Sequence, residues 1–229
     1  MRSPMMLLSM FTGLLGVVAV SLAAVTTPAP SFAESKAAAP NAASAALPTA
    51  AAQSGASPER VSVAPAAEYP PLAAVISDVK ENFDGVTHLS PSQVAELAQR
   101  DDVLLVDTRE AEEYAVSRLP GAVRIDPDAW SWSVVPALQE AAKNKHIVFY
   151  CSVGVRSSRM AEHVQEELLA QGAKSIANMS GGIFSWHNAG GTLTDGARAT
   201  AFVHPYDETW GKMLSRKELA RYSPVPATQ

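Results

Sequence analysis

The chain has 229 residues, with 18 basic and 23 acidic side chains for a formal net charge of −5, and a single cysteine among 47% hydrophobic residues. Without any basic run, this composition excludes a general binder of nucleic acid or of acidic membrane surfaces. One cysteine excludes an intramolecular disulfide framework and any multi-cysteine metal site.

In chain order, Arg2 precedes an apolar stretch from Met5 to Val25. Small residues at Ser31 and Ala33 fit the positions three and one before a signal-peptidase cut. Residues 1–33 are therefore expected to be an export signal cleaved after Ala33, which makes the protein periplasmic. An uncleaved anchor is the other reading, because ~20 apolar residues span a bilayer; only then is a membrane a partner. Residues 34–67 hold 14 alanines, 4 prolines and 5 serines, too few large apolar side chains to offset the entropy of ordering. Residues 34–83 are assigned to a flexible linker and lead-in.

The texture changes at residue 84, and residues 84–200 are expected to form one domain. Ser90 as N-cap, Pro91 in the first turn and Gln93 in capping-box position open a helix. Val103 to Val106 and Ile147 to Tyr150 are continuous apolar runs, as in strands buried on both faces, and end at Asp107 and Cys151. Between them lie a short helix from Glu110, a turn at Pro120-Gly121, the strand Val123 to Ile125 and a helix from Pro136 to Lys143. Trp130 and Trp132 are expected to pack, with a place at a pocket mouth as the other option. Ser157 to Gln171 reads as the strongest helix, with Met160, Val164 and Leu168 on one face and Glu162, Glu166 and Glu167 on the solvated one. Ser175 to Met179 is a strand, and Ile183 to Trp186 begins a last helix. This alternation predicts an α/β fold: a small open, mostly parallel sheet flanked by helices on both faces. Residues 201–229 carry Phe202, Tyr206, Trp210, Met213 and Leu214, too apolar for a free tail, and are expected to pack back on the domain. There His204 to Tyr206 and Trp210 are placed at the active-site entrance.

The segment Cys151-Ser152-Val153-Gly154-Val155-Arg156-Ser157 joins a buried strand to a helix N-terminus. First-turn N–H groups lack internal partners and carry partial positive charge, so a loop curling into them can cradle one anion. Gly154 suits a positive-φ curl, and Arg156 adds a forked cationic donor. Cys151 at the mouth of this cradle is expected to be a nucleophile rather than a buried small hydrophobe. Ser152, Val153, Gly154, Val155, Arg156 and Ser157 are the candidate substrate-binding residues, with Arg156 binding the donor anion and ordering the loop. Asp107 and Arg109 are expected to support the site by tying strand ends to loops. The five histidines show no ligand spacing within one helix, so neither a metal nor another cofactor is expected.

These motifs resemble the rhodanese family of sulfurtransferases over residues ~85–195. Val106-Asp107-Thr108-Arg109 with Glu113-Tyr114, Leu119-Pro120-Gly121-Ala122, the Cys151 loop with Gly154, Arg156 and Ser157, and Ser180-Gly181-Gly182 with Trp186 follow in the family's order. Ser117-Arg118 departs from the family's usual Gly-His, and Ser152 stands where many members carry a basic residue. The resemblance implies two-step sulfur transfer through a Cys151 persulfide, from a small donor such as thiosulfate to a thiol or cyanide. Two alternatives stay open. One is a non-enzymatic binding or redox-sensing module, with Cys151 oxidised to a sulfenic acid. The other is a cysteine phosphatase or arsenate reductase, whose loop has five residues between Cys and Arg where this chain has four.

Overall fold

The computed structural model describes residues 70–226; the expected export signal and most of the linker lie outside them. Five parallel strands form the sheet in the order β1-β5-β4-β2-β3: β1 (Thr87–Leu89), β2 (Val103–Asp107), β3 (Val123–Arg124), β4 (His146–Tyr150) and β5 (Ser175–Met179). β4 lies at the centre, with Asp107 opposite Tyr150 on one side and Asn178 opposite Phe149 on the other. The predicted α/β class is the observed one.

Successive residues of the two long apolar strands point to opposite faces, and each face has its own core. Leu104, Val106, Ile147 and Phe149 meet Val134, Val135 and Leu138 of α4 (Ser131–Ala142) and Met160, Ala161, Val164 and Leu168 of α5 (Val155–Ala170). Leu105, Val148 and Tyr150 meet the other layer: α1 (Pro70–Asn82), α2 (Pro91–Leu97) and α6 (Gly182–Asn188). The Ser90–Gln93 capping box predicted for α2 is present. α3 (Ala111–Val116) follows β2 and carries Glu113.

Several boundaries differ from expectation. The folded region starts before residue 84: α1 occupies the segment read as linker and lead-in because Leu72, Ile76 and Val79 form a buried i, i+4, i+7 stripe. α4 starts five residues before Pro136 and contains it, at the loss of one backbone bond to the Trp132 carbonyl. Trp130 and Trp132 do not pack: they are 72% and 75% exposed. Trp130 is the extended N-cap of α4, and Trp132 falls away from the Val134, Val135 and Leu138 face. α5 opens at Val155 rather than Ser157, which puts Arg156 in its first turn. A short hairpin, β6 (Leu193–Thr194) with β7 (Ala199–Thr200), precedes the C-terminal segment, in which Val203 and Leu214 are fully buried. There Val203 exchanges backbone bonds with Leu219 and Arg221.

Candidate active site

Cys151 follows the central strand at the carboxyl end of the sheet, where parallel α/β sheets place their ligands. Its carbonyl accepts from Ile183 N (2.8 Å) and the Ser152 carbonyl from Phe184 N (3.1 Å), both in the first turn of α6. In a trans peptide the N–H points opposite to the C=O, so the Ser152 and Val153 amides are turned away from α6. A Cβ on Gly182 would collide with the Cys151 and Ser152 carbonyl groups, so this approach requires glycine there. Gly154 caps α5 at φ +107°, outside the range of an ordinary L-residue, and its N–H donates to Cys151 Sγ at 3.1 Å.

Among the described residues, the N–H groups of Ser152, Val153, Val155, Arg156 and Ser157 donate to no acceptor. Five unengaged amides beside one sulfur, at the start of a 16-residue helix, make an anion cradle of backbone alone. The side chains of the loop are already occupied. Ser152 Oγ donates to Glu113 Oε1 (2.6 Å), and Ser157 Oγ donates to Asn178 Oδ1 (2.6 Å). Arg156 forms a fork on Glu113, Nη1 to Oε2 at 2.8 Å and Nη2 to Oε1 at 3.1 Å, and Nη2 also reaches Ser152 Oγ at 3.0 Å. Its outer face lies over the Tyr206 ring, 5.0 Å from the centroid. Val153 is buried in the core. The candidate substrate-binding residues thus come together in one loop, but as main-chain donors rather than as side chains.

Glu113, which the sequence reading quotes only as part of a motif and gives no role, lies at the centre of the loop's side-chain contacts. It is 2% exposed, and burial alone would push its carboxyl up. The Arg156 guanidinium and the Ser152 hydroxyl outweigh burial and hold it below the usual carboxylate range. Burial likewise works against the Arg156 charge, and Glu113 followed by the Cys151 side chain holds its pKa above the ordinary value. Asn178 was also missed. Its Nδ2 reaches His88 Nδ1 at 3.1 Å, and His88 Nε2 reaches the Phe83 carbonyl at 3.0 Å, so a half-buried polar chain ties Ser157 to β1. Asp107 and Arg109 form a fully buried pair, Nη2 to Oδ2 at 2.7 Å, with Arg109 also donating to the Ser117 carbonyl at 2.6 Å. Beside them Thr108 N donates to the Tyr150 carbonyl (2.9 Å), fixing the peptide that precedes Cys151. His204 is buried; its Nδ1 accepts from Tyr206 N at 3.0 Å and its ring meets Tyr222 edge-on.

Hollows open against both helical layers, two of which bear on the site. One, about 490 Å³, runs beside α5 and is lined by Asp128, Trp130, Arg156, Arg159, Met160 and His163. The other, about 400 Å³, lies under the β6–β7 hairpin against Leu105, Leu119 and Trp186 and holds no nucleophile.

Residues 90–189 match the family model for the rhodanese-like domain. A sulfurtransferase of Allochromatium vinosum is 32% identical over 102 residues, 44% of this chain and 87% of that protein. The chain belongs to the rhodanese family. Other relatives carry the rhodanese-like segment within larger proteins. The tRNA uridine(34) hydroxylase of Ruegeria pomeroyi is 33% identical over 103 residues, 43% of this chain and 32% of that protein. The chain spans between 32% and 39% of the length of three such hydroxylases. Among solved structures, a thiosulfate sulfurtransferase from Pseudomonas aeruginosa superposes with a TM-score of 0.43 at 20% identity, covering 64% of this chain and 27% of that one.

Proposed function

We propose that this rhodanese is a sulfurtransferase that carries sulfane sulfur on Cys151 from a small donor such as thiosulfate to a thiophilic acceptor. The supporting observation is the Cys151 loop: a sulfur that accepts from Gly154 N, next to five amides with no other acceptor. In the first step the Cys151 thiolate attacks the outer sulfur of thiosulfate. A new S–S bond forms, the donor's S–S bond breaks, and sulfite leaves with the electron pair. The anionic outer sulfur of the persulfide then sits among the loop amides, a preorganised electrostatic cradle. In the second step the acceptor attacks that sulfur, and the pair returns to Cys151.

Four residues between Cys151 and Arg156 make a small ring of donors, suited to one sulfur atom rather than a tetrahedral oxyanion. Sulfur transfer is favoured over phosphate or arsenate chemistry on that ground. Hydroxylation of tRNA belongs by name to relatives of which this chain matches about a third, and the sequence has no basic run to hold a nucleic-acid backbone. Export with cleavage after Ala33 is part of the proposal, tested by the mass of the mature N-terminus. The activity is tested by intact mass spectrometry after incubation with thiosulfate. The expected result is the gain of one sulfur atom in the native protein and none in Cys151→Ser. No adduct from any sulfur donor, together with phosphate-ester hydrolysis, would overturn it.

A further inference from the structure

The cleft beside α5 is built from two walls of opposite chemistry. Arg156, Arg159 and His163 stand at i, i+3 and i+7 and share one face of the helix. Asp128 and Trp130, from the connection between β3 and α4, form the facing wall. Arg156 is committed to Glu113, and it links the cleft to the Cys151 loop through Ser152. Arg159 and Asp128 are both exposed and, among the described residues, pair with no opposite charge, not even with each other. In the same lining the Trp130 indole is 72% exposed, an apolar plate open to a ligand. An anion site, a cation site and an aromatic platform in about 490 Å³ fit an amino acid or a short peptide.

We propose that this cleft seats the sulfur acceptor and that the acceptor is a zwitterionic thiol. Its carboxylate lies on Arg159, its ammonium on Asp128 and its carbon chain on Trp130, with its sulfur directed past Arg156 toward Cys151. The inference rests on the sulfur-transfer reading. The step balances within that reading: the acceptor thiolate attacks the outer sulfur of the Cys151 persulfide. The bond to Sγ breaks, its electron pair restores the Cys151 thiolate, and the acceptor leaves as a persulfide.

The test uses persulfide-loaded protein freed of donor and chased with four thiols: cysteine (zwitterion), 3-mercaptopropionate (anion), cysteamine (cation) and 2-mercaptoethanol (uncharged). Discharge rates at low thiol concentration are measured for the native protein, Arg159→Gln and Asp128→Asn. Each variant-to-native ratio is formed thiol by thiol, which cancels intrinsic thiol reactivity. Arg159→Gln is expected to slow discharge by about three- to fivefold for cysteine and 3-mercaptopropionate and to leave the other two unchanged. Asp128→Asn is expected to slow cysteine and cysteamine by a similar factor and to spare 3-mercaptopropionate and 2-mercaptoethanol. Equal ratios for all four thiols would overturn the acceptor site while leaving sulfur transfer intact. A native protein that never loads sulfur would overturn sulfur transfer itself, and the acceptor site with it.

Discussion

At the scale of single residues, the active loop depends on three side chains, Glu113, Arg156 and Ser152, and on one missing one. Glu113 receives two bonds from Arg156 and one from Ser152, so it fixes both flanks of the loop through a carboxylate from α3. Glu113→Gln keeps the shape but leaves the Arg156 charge with only the longer, more exposed contact to Glu110 at 4.0 Å. Because Arg156 stays partly exposed, the expected loss is about 1–3 kcal/mol rather than that of a fully buried pair. Urea unfolding measures it, and an unchanged midpoint would contradict the role given to this pair. Gly154 supplies the missing side chain. Gly154→Ala must hold an alanine at φ +107°, which costs about 1–2 kcal/mol, and its Cβ would stand 3.4 Å from Asn178 Nδ2. The same change disturbs the amide that reaches Sγ, so the expected effect on the rate of persulfide formation exceeds tenfold. An alanine variant that loads sulfur at the native rate would show that this amide is not part of the cradle.

At the scale of elements, α6 couples the active loop to the C-terminal segment. Its first turn holds the Cys151 and Ser152 carbonyls, and its last turn carries His187. His187 Nε2 lies 3.0 Å from the Ala201 carbonyl, which can only accept, so Nε2 carries the proton. Nδ1 is buried with no partner among the described residues. Burial first, and the nearby Arg216 charge second, bring the His187 pKa down to about 4 from 6.5. The unfolded chain therefore binds this proton more readily than the folded one. The stability from neutral His187 is whole above pH ~6.5 and is lost as pH falls toward ~4, by at most about 3 kcal/mol. His204 is shifted down too, by burial above all, so the two add in the same sense. The expected result is a fall in stability between pH 6.5 and 5, while carboxylates are still ionised, and a shallower fall in His187→Gln. Equal slopes would contradict the assignment.

The same elements show what was readable in the chain and what was not. β2 and β4 were legible because strands covered on both faces need unbroken apolar runs, and Val103 to Val106 and Ile147 to Tyr150 supply them. The Cys151 loop was legible because its chemistry is local: nucleophile, glycine and helix start are adjacent. α1 was hidden because its three core positions are diluted by alanine and proline in the same window. Glu113 was hidden because it meets Arg156 across 43 residues, a juxtaposition set by the β2–β4 pairing rather than by spacing. Trp130 and Trp132 misled because large aromatics usually seek a core, whereas here the helix face turns them outward.

For the molecule as a whole, residues 201–226 are part of one core. Val203 and Leu214 lie in the same cluster as Leu72, Val148 and Trp186, and Tyr206 covers the outer face of Arg156. Ending the chain at Thr200 removes two fully buried apolar side chains, worth about 1.5–3 kcal/mol each. A clear fall in melting temperature and an altered acceptor preference are expected. A truncated protein with native stability and native preference would contradict the placement of this segment. Passage of sulfur through Cys151 is followed by an isotope chase. The protein is loaded from thiosulfate labelled in its outer sulfur, freed of donor and mixed with a thiol acceptor. One labelled atom per chain is expected on the Cys151 peptide and then, in equal amount, on the acceptor. Label reaching the acceptor without passing through Cys151, or staying on Cys151 undischarged, would contradict transfer by this route.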